Sequence, residues 1–371
     1  MEKFPVIIIG GGPAGASLSI FLKQEGIDSL IIERGDHNRY KVCAGGLPVS
    51  ALQISPVNLQ IFSKTSYDSL QVNYKNIKVV NSSLKKTFAY GVERADFDEF
   101  LRNGLSVNYK ENFAGYKENK NEIKVQTDKG EYLCNFLVGA DGVGSRVSLI
   151  SNLGRKTKFI VAEEKEVKVP IKDKNTARIY LGYNYLGYAW IWGKEKGYSV
   201  GSGALKRHFK PGVANTIDRE KATIKFFPIA LWDFPQKLTS GRIALAGEAG
   251  ALVDPFNAAG IYPAIYSSML LSESIKKALE KGSSTLDDYN NKLESSLYDE
   301  LKYASFLAKV FFPLLPFVYK SVLKQSILNL VVENSSRGYI SYKEIYKRFE
   351  NSKNPKLRFA NLLIKLITKA S

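Results

Sequence analysis

The chain has 371 residues, 44% hydrophobic and 24% charged, enough to bury a large core in one or two closely joined domains. Two cysteines, Cys43 and Cys134, exclude a disulfide scaffold and point to a reducing, cytoplasmic setting; two histidines, His37 and His208, argue against a His-based metal site, and no metal is expected. The net charge of +17 favours anionic partners such as phosphorylated substrates or an anionic membrane, but no nucleic-acid-binding motif accompanies it, so no nucleic-acid partner is expected.

A short β-branched run, Val6 to Ile9, enters the turn Gly10-Gly11-Gly12-Pro13-Ala14-Gly15, and a helical pattern leaves it through Ala16, Leu18, Phe21 and Leu22. Gly10-x-Gly12-x-x-Gly15 between a strand and a helix is the dinucleotide fingerprint. Gly10 permits the tight turn, Gly12 lets a pyrophosphate reach the backbone, and Gly15 lets helix and strand pack closely. The helix start supplies unpaired N–H groups and partial positive charge. A second strand, Ser29 to Ile32, ends at Glu33, 23 residues after Gly10, where an acid can accept hydrogen bonds from a ribose diol.

Residues Arg34 to Pro48 form a loop containing Lys41-Val42-Cys43-Ala44-Gly45-Gly46-Leu47-Pro48, whose glycines and proline oppose regular structure. Residues 67 to 90 read as strands. A helix is expected near Arg94, with Asp96 as N-cap and Phe97, Phe100 and Leu101 on one face. Residues 105 to 134 read as a meander. A buried strand then enters Gly139-Ala140-Asp141-Gly142. Residues 158 to 235 are strand-rich and aromatic, with Gly182, Gly187, Gly193 and Gly197 as turn punctuation. A third strand-to-turn unit is Gly247-Glu248-Ala249-Gly250 through Asp254, Pro255, Gly260 and Ile261. A helix should run from Gly260 to about Lys281.

The three turns near residues 10, 141 and 247 predict an α/β fold. Its Rossmann-like nucleotide-binding domain is discontinuous (1–66, 92–157 and 240–285). An inserted antiparallel β-sheet substrate region (67–91 and 158–239) and a helical C-terminal region (286–371) complete it. From Leu301 to Ser371 there are 13 Lys and Arg against Glu333, Glu344 and Glu350. Leu362, Leu363, Leu366 and Ile367 recur at helical spacing beside cations. That composition suits a basic amphipathic helix lying on a membrane, and equally a helix packed on the body with solvated lysines.

These motifs resemble the flavoprotein superfamily that contains para-hydroxybenzoate hydroxylase, and most closely its geranylgeranyl (prenyl) reductase branch. The resemblance implies FAD. It assigns cofactor contacts to Gly10, Gly12, Pro13, Ala14, Gly15, Glu33 and Arg34 of the first motif and to Arg94, within Gly91-Val-Glu-Arg94. Asp141 and Gly142 belong to the second motif, and Gly247, Glu248, Pro255, Gly260 and Ile261 to the third. Glu248 stands where relatives usually carry Asp. Lys41 to Leu47 is similar to the cysteine-glycine-glycine segment of prenyl reductases, in which the cysteine faces the flavin. Tyr188-Ala-Trp190-Ile-Trp192-Gly193-Lys194 is similar to their pocket-lining Tyr-x-Trp stretch, with Trp192 and Gly193 replacing Phe and Pro.

The resemblance therefore implies a reductase that saturates C=C bonds of geranylgeranyl or prenyl chains, on an ether-lipid precursor or a prenyl diphosphate. Its hydride comes from reduced FAD. Cys43, Tyr188 and Trp190 are the catalytic candidates; Gly45, Gly46, Tyr188, Trp190 and Trp192 are the substrate-binding ones. Cys43 as a proton donor stands against Cys43 as an inert thiol, and the three aromatics as a pocket wall stand against core packing. Cys134 reads as packing. The electron donor is NAD(P)H or ferredoxin, and the basic tail offers peripheral contact with the inner membrane face. Alternatives on the same scaffold are an aromatic hydroxylase or other monooxygenase, and a non-catalytic flavin-binding membrane-associated protein.

Overall fold

The structure, a computed structural model, describes residues 1–59, 65–83, 86–156, 158–322 and 341–350. The stretch Lys356 to Lys369, with its amphipathic pattern, lies outside the described residues. Among those described, no helix is long and apolar enough to cross a membrane.

The first sheet has eight strands. Lys3–Ile9 lies at its centre, parallel to Glu131–Gly139 on one side and to Ser29–Glu33 on the other. Ile243–Leu245 and Val107–Tyr109 extend it in parallel outward. Central strands covered on both faces should read as unbroken apolar runs, and Val6, Ile7, Ile8, Phe136, Leu137 and Val138 are all fully buried. The helices Pro13–Gln24 and Ile261–Glu280 cover one face and pack against each other. The close approach depends on glycine. A Cβ on Gly15 would sit 1.9 Å from the Gly10 carbonyl oxygen, and one on Gly247 would meet Ala14 Cβ at 2.9 Å.

The second sheet has seven strands, in the order Lys225–Leu231, Lys158–Val167, Gly197–Leu205, Gly187–Lys194, Thr176–Leu181, Ser69–Tyr74, Ile77–Ser83. It is antiparallel except where Thr176–Leu181 pairs in parallel with Ser69–Tyr74. Gly187 and Gly193 are not turn residues but lie within a strand. Bare backbone is needed there because a Cβ on Gly187 would meet Gly203 O at 2.1 Å and one on Gly193 would meet Lys174 O at 2.5 Å.

Two further expectations are corrected. Gly46–Pro48 is not irregular: it forms a short strand paired antiparallel with Ala89–Gly91. Pairing with a distant partner overrides the local glycine and proline signal. The helix Arg94–Arg102 has Glu93, not Asp96, at its N-cap; Asp96 lies in the first turn, where its charge complements the helix dipole. Phe97 and Leu101 are buried on the inward face as expected.

The C-terminal described helices are Asp287–Ser295, Leu297–Val322 and Tyr342–Glu350. Leu297–Val322 holds the apolar run from Val310, with Pro313 and Pro316 inside it. Its Phe311, Phe312 and Leu315 pack on Val72 and Leu181 of the second sheet.

Gly15→Ala should cost about 3 kcal/mol, because the added methyl overlaps a backbone oxygen that cannot move independently. Gly115→Ala, whose Cβ meets nothing within 4 Å, should change stability by no more than about 0.5 kcal/mol. Urea unfolding of both variants checks this; equal effects would contradict the packing account.

Candidate active site

A cavity of about 1390 Å³ runs between the two sheets and under the helix Leu297–Val322. Backbone and side chains from all three glycine turns reach it. Gly10, Gly12, Pro13 and Ala14 line it from the first turn, with Glu33 and Arg34 beside them. Asp141 and Gly142 enter from the second turn, and Glu248, Pro255, Gly260 and Ile261 from the third. Gly15, Gly247 and Gly45 do not line it. They act from behind the wall by allowing close packing, and Gly45, at φ +77°, accepts the Val92 N–H through its carbonyl.

Glu33 is 2% exposed, and its two carboxylate oxygens accept the Gly11 and Gly35 N–H groups, each at 2.7 Å. Each oxygen retains a lone pair for a ribose hydroxyl. Arg39, which lines the cavity, approaches Glu33 at 3.8 Å and Asp98 at 3.6 Å. Behind the turn, buried Arg102 donates to Gly11 O and His37 O at 2.9 and 2.6 Å. At this end of the cavity, the buried Arg39 Nε and Asp141 Oδ1 have no hydrogen-bond partner among the described residues. Orphaned polar groups, a helix start and a glycine cradle together fit a dinucleotide such as FAD.

The opposite part of the cavity is apolar and aromatic. Tyr188, Trp190 and Trp192 all line it, and the intervening Ala189 and Ile191 do not, as two-residue alternation requires. Tyr188 donates to Asn257 O at 2.6 Å. Trp192 packs edge-on against Tyr67 at 4.8 Å and lies over Gly46, where a Cβ would collide with its ring. Tyr262 also lines the cavity and stacks on Tyr266.

Cys43 is half-buried at the meeting of the two parts. Its Sγ accepts the Gly45 N–H at 3.4 Å. The Arg94 guanidinium lies near this sulfur; burial would lower the Arg94 pKa, but Asp98 and Cys43 together hold it raised. Arg94 meanwhile grips Asp98 at 3.0 to 3.2 Å. Cys134 is fully buried, and burial pushes its thiol up to about 12.

Sequence reasoning missed the residue that joins these parts. Glu164 is fully buried in the strand Lys158–Val167. Its Oε2 accepts the Cys43 N–H at 2.7 Å and the Tyr40 hydroxyl at 3.0 Å. Its Oε1 accepts Ser199 Oγ–H at 2.5 Å, and Ser199 Oγ accepts the Trp190 indole N–H at 3.0 Å. Burial raises the Glu164 pKa, opposed by Lys194 and these hydrogen bonds. Lys194, only 3% exposed, binds Glu166 at 2.7 Å and Glu93 at 3.3 Å.

A second missed group is Tyr342. Its hydroxyl donates to Asp254 Oδ2 at 2.7 Å, and Asn257 Nδ2 donates to that hydroxyl at 3.1 Å. Asp254 also accepts the Phe256 and Asn257 N–H groups, which makes it the organiser of the turn before Gly260. Burial pushes the Asp254 carboxyl from the ordinary 3.8 up to about 6, against the hydrogen bond from Tyr342.

Residues 7–177 match the family model described as pyridine nucleotide-disulphide oxidoreductase. The chain is 27% identical to a chloroplastic geranylgeranyl diphosphate reductase of Arabidopsis thaliana, over 84% of this chain and 75% of that one. It is 24% identical to a digeranylgeranylglycerophospholipid reductase of Methanocaldococcus jannaschii, over 83% of this chain and 88% of that one. A geranylgeranyl bacteriochlorophyll reductase-like protein of Thermoplasma acidophilum shares the fold, with TM-score 0.79 at 20% identity over 98% of this chain and 100% of that one.

Glu164→Gln should release the Cys43 loop, because an amide cannot accept all three hydrogen bonds. The expected loss is about 2 kcal/mol of stability, with faster alkylation of Cys43; buried Cys134 stays silent in that assay. An unchanged alkylation rate would contradict the clamp. Asp254, with its raised pKa, contributes stability below the ordinary carboxylate range that is lost as pH rises through about 6. Relative to Asp254→Asn, the wild type should therefore lose about 3 kcal/mol between acid and neutral pH. Urea unfolding across that range checks it, and parallel profiles would refute it.

Proposed function

Starting from a chain that is an FAD-dependent oxidoreductase with geranylgeranyl reductases among its homologues, we propose that it saturates C=C bonds of geranylgeranyl or other prenyl chains. The substrate is an isoprenoid ether-lipid precursor or a prenyl diphosphate. The observation that carries this reading is the half-buried Cys43 thiol, held where the glycine turns meet the aromatic wall. When bound and reduced, FAD supplies a hydride.

The chain's own residues supply the rest. An isolated alkene is a poor hydride acceptor unless its other carbon is protonated. Cys43 holds that proton. As it leaves, the Gly45 N–H and the Arg94 guanidinium stabilise the thiolate left behind. Cationic character develops at the more substituted carbon, and the faces of Tyr188, Trp190 and Trp192 are placed to stabilise it. The apolar walls exclude water, which would otherwise capture that cation. Electrons arrive from NAD(P)H or ferredoxin. The enzyme is cytoplasmic, and its basic C-terminal segment meets the inner face of the membrane.

The test uses FAD-loaded protein, reduced with dithionite without oxygen and mixed with geranylgeranyl diphosphate. Mass spectrometry should show gains of hydrogen pairs. Cys43→Ala should retain FAD and lower the rate about a hundredfold or more, the usual worth of a positioned general acid. No mass gain with any prenyl lipid would overturn the function; an unchanged rate in the variant would overturn the role of Cys43.

A further inference from the structure

Three neighbouring strands of the second sheet carry their cavity-facing side chains toward one edge, and each ends there in a charge. Ala162 and Ile160 lead to Lys158, Leu205 leads to Arg207, and Ile229 and Leu231 lead to Asp233. The registers align these ends. Ile160 lies opposite Leu205 on one side and Ile229 on the other, and Lys158 lies opposite Leu231. Two-residue alternation therefore brings Lys158 level with Arg207, which sits in the turn Lys206–His208 just past its strand. Arg207 Nε donates to His208 Nε2 at 3.0 Å. The helix Leu297–Val322 adds Lys309 to the cavity wall.

These groups feel one another. Burial lowers the Lys158 pKa, Asp233 opposes that, and Lys309 and Arg207 lower it further. Three cations thus converge against one acid at the edge of a largely apolar wall made by Ile160, Leu231, Val253 and Leu205. Like charges held together beside an apolar surface raise the free energy of the site, and an anion placed among them lowers it.

We propose that this rim binds the phosphate-ester end of the substrate, so that its prenyl chain runs inward to Cys43. The inference rests on the reductase reading and specifies the polarity of its substrate site. Lys158 and Glu164 are six residues apart on one strand, about 20 Å at roughly 3.3 Å per residue. Glu164 holds the Cys43 amide. The ligand class is therefore an amphiphile whose phosphate and reacting alkene are separated by an apolar chain of about that length. A short prenyl phosphate cannot satisfy both ends.

The test measures binding to FAD-loaded protein without reductant, at low salt. The probes are geranylgeranyl diphosphate, geranylgeraniol and a digeranylgeranyl glyceryl phosphate, with inorganic pyrophosphate as competitor. The diphosphate should bind about tenfold tighter than the alcohol, as charge-assisted phosphate contacts require. Lys158→Gln, Arg207→Gln and Lys309→Gln should each weaken the phosphate-bearing ligands severalfold and leave the alcohol unchanged. Preserved alcohol binding also shows that each variant is folded. The ligand whose affinity falls further, diphosphate or lipid phosphate, identifies the source of the head group, and pyrophosphate should compete with it. Equal affinity for alcohol and diphosphate, or equal weakening of both by the variants, would overturn the proposal. The two readings fail separately. Rim binding with no saturation of any ligand refutes the reductase reading alone. Saturation of alcohol and diphosphate with the same KM refutes the rim alone.

Discussion

The buried carboxylate of Glu164 is the constraint on which the site depends. It is fully buried, yet its oxygens satisfy a backbone N–H of the thiol loop, a tyrosine hydroxyl and a serine that in turn holds the Trp190 indole. A buried carboxylate left without partners would be costly, so the surrounding groups must stay in place to satisfy it. The Cys43 loop and the aromatic strand are therefore positioned by a single acid. Direct packing adds to this, because Val42 and Ala44 of the loop share a cluster with Trp190 and Trp192 of the strand.

The same logic recurs around the cavity. Lys194 sits within reach of Glu93 and Glu166 behind the Cys43 loop, and Arg94 is locked to Asp98 beneath it. Asp254 is tied to Tyr342, which fastens the described C-terminal helix to the turn before Gly260. Removing one member of such a pair strands the other, so these networks hold geometry more than they add net stability. At the rim, Lys158, Arg207 and Lys309 break the pattern by gathering like charges. Paired charges of both signs surround the Cys43 loop, and like charges gather at the far edge of the cavity.

The glycine turns and the alternating aromatics were legible because local geometry dictates them. A strand running into Gly10-x-Gly12-x-x-Gly15 has few other uses, and positions 188, 190 and 192 must share a strand face. Glu164 was illegible for a physical reason. It stands in Glu163-Glu164-Lys165-Glu166, a run that reads as solvated, and its partners Cys43 and Ser199 lie 121 and 35 residues away. Gly46–Pro48 became a strand through pairing with Ala89–Gly91, which local composition cannot reveal. Gly187 and Gly193 were misread as turns because close backbone approach inside a sheet uses the same residue. Tyr342 lies 88 residues from Asp254, and no motif announces their contact.

The central claim is that the reduced enzyme delivers its electrons to an alkene and not to oxygen. Anaerobic stopped-flow absorbance of the reduced, FAD-loaded protein tests this most directly. On mixing with geranylgeranyl diphosphate, the oxidised-flavin absorbance should return without oxygen, in proportion to the double bonds saturated. Absorbance that stays bleached until oxygen is admitted would contradict the account.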